Sequence, residues 1–374
     1  MPRSLAYDPK YALNAICPYF TMFPLEYPLR VLKAHRKDRP VVMDPFCGRG
    51  TTLFAARSLG LISRGIDSSP IAVAIARAKL CTVDVAATLQ LAQSFIEADR
   101  PGVIPESDFF RTAFSQSVLG KLCAIRQGLL DTMEDTDAVV LLRAAMLGCL
   151  HGPASKCLET QSYFSNQMPR TFAAKPDYSV RYWQAKGHLA PEVDVLSVLR
   201  RKLLRLQVDS PQEGSTFANV HLGDSRNPDS LTEAGRDFSI VVTSPPYYGM
   251  RTYIEDQWLR NWFLGGPDHV TYGQSTQLEH AGKVAFAESL GAVWRNIAHT
   301  NTDQLHMYVR FGIIPSAKAD PKTLIRESLE SSGVSWRIVS ARSAATAAAG
   351  KRQANHMQSE SAAATEYDFH IYRV

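Results

Sequence analysis

Apolar positions along the chain fall into two periods. Short unbroken apolar runs bounded by turn residues predict buried strands. They occur at PVVMDPF (40–46), at residues 62–66, and at FANVHLGD (217–224), FSIVVTS (238–244), QLHMYVRFG (304–312), VSWRIVSAR (334–342) and EYDFHIYRV (366–374). Helical spacing marks Thr51–Leu59, with Gly60 placed to cap its end. A second helix, PIAVAIARAKL, opens at Pro70, where proline is tolerated in a first turn. The order β-loop-α-β-acid-α is the start of a doubly wound α/β sheet.

The alternation breaks from about Asp84 to Ser210. Helical patterns dominate there, as in DAVVLLRAAMLGCLHG (137–152) and PEVDVLSVLRRKLLRLQV (191–208), around an aromatic and basic stretch at 159–183 without clear period. The reading is one α/β domain in two parts, 1–83 and 211–374, with 84–210 as a mostly helical insertion. The last two strands predict a C-terminal β-hairpin joined by the small, polar, basic loop 343–365. No internal repeat is visible.

Composition changes little in this picture. Of 374 residues, 45% are hydrophobic and 21% charged, so a packed core forms without staples. The net charge of +5 is compatible with a polyanionic partner without requiring one. The six cysteines form no C-x-x-C pair or zinc pattern, which suits reduced thiols in a cytoplasmic protein. The ten histidines are scattered, so no metal is expected. The N-terminus has no apolar leader region, and no run reaches the ~18 apolar residues of a membrane span.

Chemistry concentrates where strands end. Gly48 and Gly50, in CGRG, let the backbone turn sharply and approach a ligand, and the helix that follows favours negative charge at its start. Asp67 ends the next strand about 20 residues on, where an acid suits ribose hydroxyls. Leu53 stands where the dinucleotide fingerprint needs its third glycine, which favours a smaller nucleoside ligand. Asp224 is a third acid at a strand end and reads equally well as a helix N-cap. TSPPYYG (243–249) is a stiff elbow: Pro245 and Pro246 stop the ladder and push a hydroxyl, a carbonyl and a ring out of the sheet edge.

Five of these stretches, in a consistent order, resemble the S-adenosylmethionine-dependent DNA amino-methyltransferases. CPYFTMFPLEYP (17–28) is similar to their motif X, DPFCGRGTT (44–52) to motif I, GIDSSPIAVAIARAK (65–79) to motif II, VHLGDSRN (220–227) to motif III and TSPPY (243–247) to catalytic motif IV. The resemblance implies a Rossmann-like methyltransferase sheet whose cofactor half comes first and whose catalytic half follows the insertion. It implies S-adenosylmethionine as cofactor, with its methionine end at Tyr19, Phe20, Thr21 and Asp44, and with Pro45, Phe46, Gly48, Gly50, Thr51 and Thr52 around it. Its ribose falls to Asp67 and Ser68, and its adenine to Asp224 and Ser225. The catalytic group is Ser244, Pro245, Pro246 and Tyr247.

An exocyclic amino group is a poor nucleophile because its lone pair is delocalised into the ring. Ser244 Oγ and the Pro245 carbonyl, fixed by proline stiffness, can draw its hydrogens and pyramidalise the nitrogen. Tyr247 can stack on a base flipped from the duplex. Cytosine-C5 chemistry needs a Pro-Cys pair, which the chain lacks. Serine at the head of the elbow favours cytosine N4 over adenine N6, although the motif order departs from the commonest Ser-Pro-Pro-Tyr arrangement. The expected partner is double-stranded DNA, in a restriction-modification or defence setting. Target recognition falls to the insertion, with Arg170, Lys175, Arg181, Lys186 and Arg200–Arg205 among Tyr163, Phe164, Tyr178, Tyr182 and Trp183, and to the 343–365 loop. Arg251 and Arg260 can meet a phosphate or cap nearby carbonyls. An RNA-base amino-methyltransferase and an inactive DNA-binding subunit are the competing readings.

Overall fold

The computed structural model describes residues 9–19, 24–98, 102–152, 161–166, 175–207, 217–249, 254–271, 282–300, 304–313, 317–344 and 365–374. In chain order the elements begin with α1 (Glu26–His35), β1 (Val42–Asp44), α2 (Thr51–Ser58), β2 (Ser63–Asp67), α3 (Pro70–Ala78) and α4 (Val85–Glu97). Then come α5 (Asp108–Ala113), α6 (Gln116–Asp131), α7 (Asp137–Cys149), α8 (Pro176–Lys186), α9 (Val195–Leu206), β3 (Ala218–Leu222) and α10 (Pro228–Ala234). The remainder is β4 (Ile240–Thr243), α11 (Trp258–Phe263), α12 (Lys283–Ala298), β5 (His306–Ile313), α13 (Pro321–Ser331), β6 (Trp336–Ser343) and β7 (Thr365–Arg373). Packing divides them into two compact units.

The larger unit takes in residues 19–76, 212–252 and 276–374. Its seven-stranded sheet has the order β3-β2-β1-β4-β5-β7-β6. Pairing is parallel from β3 to β5, and β7 runs antiparallel between β5 and β6. This is the Rossmann-like α/β sheet with a terminal hairpin that the apolar runs predict. β1 and β4 are buried throughout, as expected of central parallel strands. One face of β5 and β7 sends Met307, Val309, Phe311, Phe369 and Ile371 into a core with Trp294 of α12 and Leu324 and Ile325 of α13. Each such large side chain, fully buried, stabilises the unit by roughly 1.5–3 kcal/mol.

The first strand-helix-strand passage shows how local sequence makes these elements. Gly60 lies at φ 71° beyond α2. There Gly60 N donates to Arg57 O and Leu61 N to Ala56 O, closing the helix before the chain turns into β2.

The second unit comprises Met1–Pro18, Arg77–Pro211 and Tyr253–Ser275. It is helical, and α4, α6, α7 and α9 pack on one another. Asp84, Ser115 and Thr136 each cap a helix through a side-chain oxygen. Its core is aromatic: Phe109 and Phe110 meet the Trp258 ring at 4.7 and 5.8 Å. Among the described residues, no helix is long and apolar enough to cross a membrane.

Candidate functional site

β1 and β4 are parallel neighbours, with Val42 opposite Ile240 and Met43 opposite Val241. From β1 the sheet is built outward to β2 and β3, and then from β4 in the other direction. This is the topological switch point where the loops following two adjacent strands diverge and leave a crevice. The CGRG loop follows one of these strands and the SPPY elbow the other, so the chain's fold brings the two motifs side by side.

The glycine loop is pinned by backbone contacts. Cys47 N donates to Ile66 O at 3.0 Å, and Gly50 N to Cys47 O at 2.7 Å. The two glycines serve different needs. Among the described residues, a Cβ added at Gly48, with φ 51°, would meet only Phe46 O, at 4.0 Å. At Gly50, with φ 73°, a Cβ would lie 2.8 Å from Ala76 Cβ. Gly50 therefore lets α2 start close against α3, while Gly48 leaves room for a ligand.

Asp44 is fully buried. Its Oδ1 accepts from Thr243 Oγ1 at 2.6 Å and from Phe46 N at 3.1 Å. Its Oδ2 has no hydrogen-bond partner among the described residues. Burial pushes its pKa up to about 6, against the opposing hydrogen bonds from Thr243 and Phe46 N. Thr52, also buried, donates to Val242 O at 3.0 Å, a second tie from α2 to β4. Thr51 is buried beside it.

Asp67 is half-buried at the end of β2. Its Oδ2 accepts from Gly48 N at 2.8 Å and its Oδ1 from Ser69 N at 2.9 Å, so the carboxylate holds the glycine loop. Burial raises its pKa, and the two backbone N–H groups oppose that rise. Ser68 is half-buried next to it.

Asp224 is not the N-cap of the helix that follows; Asn227 is, accepting from Asp229 N at 3.0 Å. Asp224 instead accepts from the guanidinium of Arg226, at 2.6 Å from Nη2 to Oδ2. Burial alone would raise its pKa, but the Arg226 hydrogen bonds and charge hold it below the usual carboxylate range. Ser225 is buried, and its hydroxyl donates to Pro45 O at 2.5 Å. Asn296 of α12 donates to Ser225 O at 2.9 Å and Arg226 O at 2.8 Å, fixing this turn against α12. Phe46 packs edge-on to Trp294 at 6.4 Å. Tyr19 is buried, whereas Phe20 and Thr21 lie outside the described residues.

In the elbow, Ser244 is half-buried, Pro245 buried, and Pro246 and Tyr247 half-buried. Tyr247 Oη donates to Glu366 Oε1 of β7 at 2.9 Å, and its ring packs edge-on to Phe311 at 6.1 Å. Tyr248 turns to Phe286 at 5.3 Å, and Gly249 takes φ 83°. Glu366 is 2% exposed, and sequence reasoning does not single it out. A carboxylate at the start of a terminal strand carries no local sign that it is buried against the elbow. Asn296 and Thr243 were missed for the same reason, each acting on a partner distant in sequence, while Arg226 acts on Asp224 two residues away with no pattern that marks the pair.

The other candidates separate clearly. Arg260 is fully buried in the helical unit and caps carbonyls, with Nε to Leu147 O at 3.2 Å and Nη1 to Pro18 O at 2.8 Å. Lys202 donates to Ala15 O at 3.2 Å, and Arg201 donates to Gln161 O, so both turn into their unit. Arg200, Arg205, Arg181, Lys175 and Lys186 are exposed. Trp183 and Phe164 are core residues, while Tyr178 is exposed and Tyr163 and Tyr182 are half-buried. Arg170, Arg251 and the loop residues 345–364 lie outside the described residues.

Residues 5–78 match a family model described as DNA methylase. That segment contains α1, the glycine loop, Asp44 and Asp67, and it stops short of the elbow. A 73-residue stretch is 37% identical to the Type II methyltransferase M.MjaII of Methanocaldococcus jannaschii. This match covers 20% of the chain and spans 14% of that relative's length. Among solved structures, the rRNA methyltransferase aviRa from Streptomyces viridochromogenes aligns over 95% of this chain and 87% of its own, at 13% identity and a TM-score of 0.32. A second structure of it aligns over 96% and 88%, at 12% identity and the same TM-score. Neither structural alignment carries a site residue across.

Proposed function

We propose that the protein is an S-adenosylmethionine-dependent DNA methyltransferase that methylates an exocyclic amino group of a flipped base, with cytosine N4 as the target atom. One observation carries this reading. The DPFCGRG loop and the SPPY elbow leave adjacent parallel strands, and Thr243 ties the first to the second through Asp44. The methylase match over residues 5–78 supports the cofactor half.

The residues fit the cofactor. Among the described residues open space lies beside Gly48, and the carboxylates of Asp67 and Asp224 retain lone pairs beyond the hydrogen bonds they accept. Asp67 and Ser68 would hold the ribose, Asp224 the adenine, and Tyr19 and Asp44 with the motif X segment the methionine end. When bound, the cofactor supplies an electrophilic methyl group.

The protein's own part is to prepare the nucleophile. In this reading Ser244 Oγ and the Pro245 carbonyl accept the two N–H bonds of the target amine. That concentrates its lone pair on nitrogen and favours the positive charge that develops there during attack. The surplus proton then leaves toward solvent. The Glu366 hydrogen bond holds the Tyr247 ring while the base stacks on it. Exposed basic residues of the helical unit, Arg181, Lys186, Arg200 and Arg205, supply contacts to DNA phosphates. Incubating duplex DNA with the protein and S-adenosylmethionine, followed by nucleoside mass spectrometry, tests the reading. N4-methylcytosine is expected; N6-methyladenine would change the base, and an unmodified product would refute the function.

A further inference from the structure

In a doubly wound sheet, helices normally cover both faces with apolar side chains. One face of this sheet departs from that rule at its β5-β7-β6 side. Alternation on these strands puts Arg310, Asp368 and Arg342 in one cross-strand row, with Tyr308, His370 and Ser340 in the next. The helix α1 covers only part of this polar face. Between α1 and the β6–β7 ribbon runs a groove of about 500 Å³, lined by Tyr27, Arg30, Arg310, Arg342, Asp368 and His370 among others.

The charges of the groove do not balance. Arg310 is 2% exposed, and it donates to Asp368 Oδ1 at 2.7 Å and Oδ2 at 2.9 Å, while its guanidinium lies 4.2 Å from the Tyr27 ring centre. Arg30 donates to the same carboxylate at 3.2 Å, with its own side chain 69% exposed. Arg342 is exposed on the opposite wall. Among the described residues that line it, three guanidiniums thus face a single carboxylate, two of them on Asp368. Arg310 and Asp368 form the rigid floor, and Arg30 and Arg342 are the outward cations.

The groove also leads to the elbow. β7 is antiparallel, so its first residues lie at the sheet edge where the parallel strands end. Asp368 lies two residues beyond Glu366 on the same face, a step of about 7 Å. Glu366 accepts the hydrogen bond from Tyr247.

We infer that this groove carries the sugar–phosphate backbone of the DNA strand that presents the target base to the elbow. The inference rests on the DNA reading above and assigns that substrate a path. In this path the strand runs from a base held against Tyr247 along β7 toward Asp368. Continuing in the same direction, the strand passes between Arg30 and Arg342. Their side chains neutralise phosphates, and Asp368 keeps Arg310 and Arg30 in place.

The test is fluorescence anisotropy of a labelled DNA duplex titrated with the full-length protein over a range of salt concentrations. The variant is Arg30→Glu with Arg342→Glu. The control is Lys322→Glu with Arg326→Glu, an equal charge change on α13, which packs against the other face of the sheet. The groove variant should bind at least ~10-fold more weakly than the control, with a salt slope shallower by up to about two, near one for each phosphate that is no longer neutralised. Calorimetric affinity for S-adenosylmethionine should stay unchanged in both. Equal losses in variant and control, or unchanged binding by the groove variant, would overturn the groove and leave the function standing. A wild-type protein that binds no duplex DNA would overturn both.

Discussion

Thr243 donates its hydroxyl proton to Asp44 Oδ1 across 2.6 Å. The two residues lie 199 positions apart. One precedes the glycine loop and the other precedes Ser244. Because both side chains are fully buried, the bond is shielded from water, and the positions of loop and elbow are set together. A change at either end is felt at the other.

Asp44 should make stability depend on pH. Its folded pKa of about 6 lies above the unfolded value of 3.8, so the folded protein holds the proton more tightly. The stabilisation from that proton is complete below the unfolded value and is lost as pH rises through about 6. Asp44→Asn keeps an uncharged group at the site. Between pH 4 and pH 7 the wild type should lose stability relative to Asp44→Asn, by about 2–3 kcal/mol at most. Thermal unfolding of both proteins across this range checks it; parallel curves would show that Asp44 does not take up the proton.

The two glycines should fail differently. Gly50→Ala places a methyl group 2.8 Å from Ala76 Cβ at a left-handed φ, so it should destabilise the protein by about 2–5 kcal/mol. Gly48→Ala meets no such clash and should cost only about 1–2 kcal/mol of backbone strain, while its methyl group intrudes on the ligand space. Denaturant unfolding read beside calorimetric S-adenosylmethionine binding separates the two. Equal stability losses, or normal cofactor affinity in Gly48→Ala, would count against this division of roles.

Tyr247 and Glu366 should be energetically coupled. Tyr247→Phe keeps the ring but leaves a buried carboxylate without this donor, at a cost of about 1–3 kcal/mol. In a double-mutant cycle with Glu366→Gln, the coupling should fall between about 0.5 and 3 kcal/mol. KM for DNA should rise more than affinity for S-adenosylmethionine falls. A coupling near zero would mean that the hydrogen bond does not hold the ring.

How far the sequence reveals this arrangement depends on the range of the interaction. The strands were legible because buried parallel strands leave unbroken apolar runs, such as Ile240–Thr243, and because Pro245 and Gly48 end two of them abruptly. α2 was legible from its start loop and from Gly60. The helices α10 and α11, of seven and six residues, are too short to show a period, and α12 buries residues around much of its surface, so its stripe is blurred. The site was legible as motifs but not as connections. Nothing near Asp224 says that Arg226 will hold it, and nothing near Glu366 points to Tyr247, 119 residues away. The basic run Arg200–Arg205 reads as one charged face, yet Lys202 and Arg201 turn inward to main-chain carbonyls because α9 packs on α4 and α7.

The most direct measurement on the central claim is single-turnover methyl transfer to duplex DNA by wild type and Ser244→Ala, with the product nucleoside identified by mass spectrometry and S-adenosylmethionine affinity measured in parallel. If the elbow clamps an amino group, Ser244→Ala loses an acceptor that matters in the transition state. The rate should fall by about 10²–10³-fold with cofactor affinity nearly intact, and the wild-type product should be N4-methylcytosine. A Ser244→Ala protein that transfers methyl groups at the wild-type rate would contradict the claim.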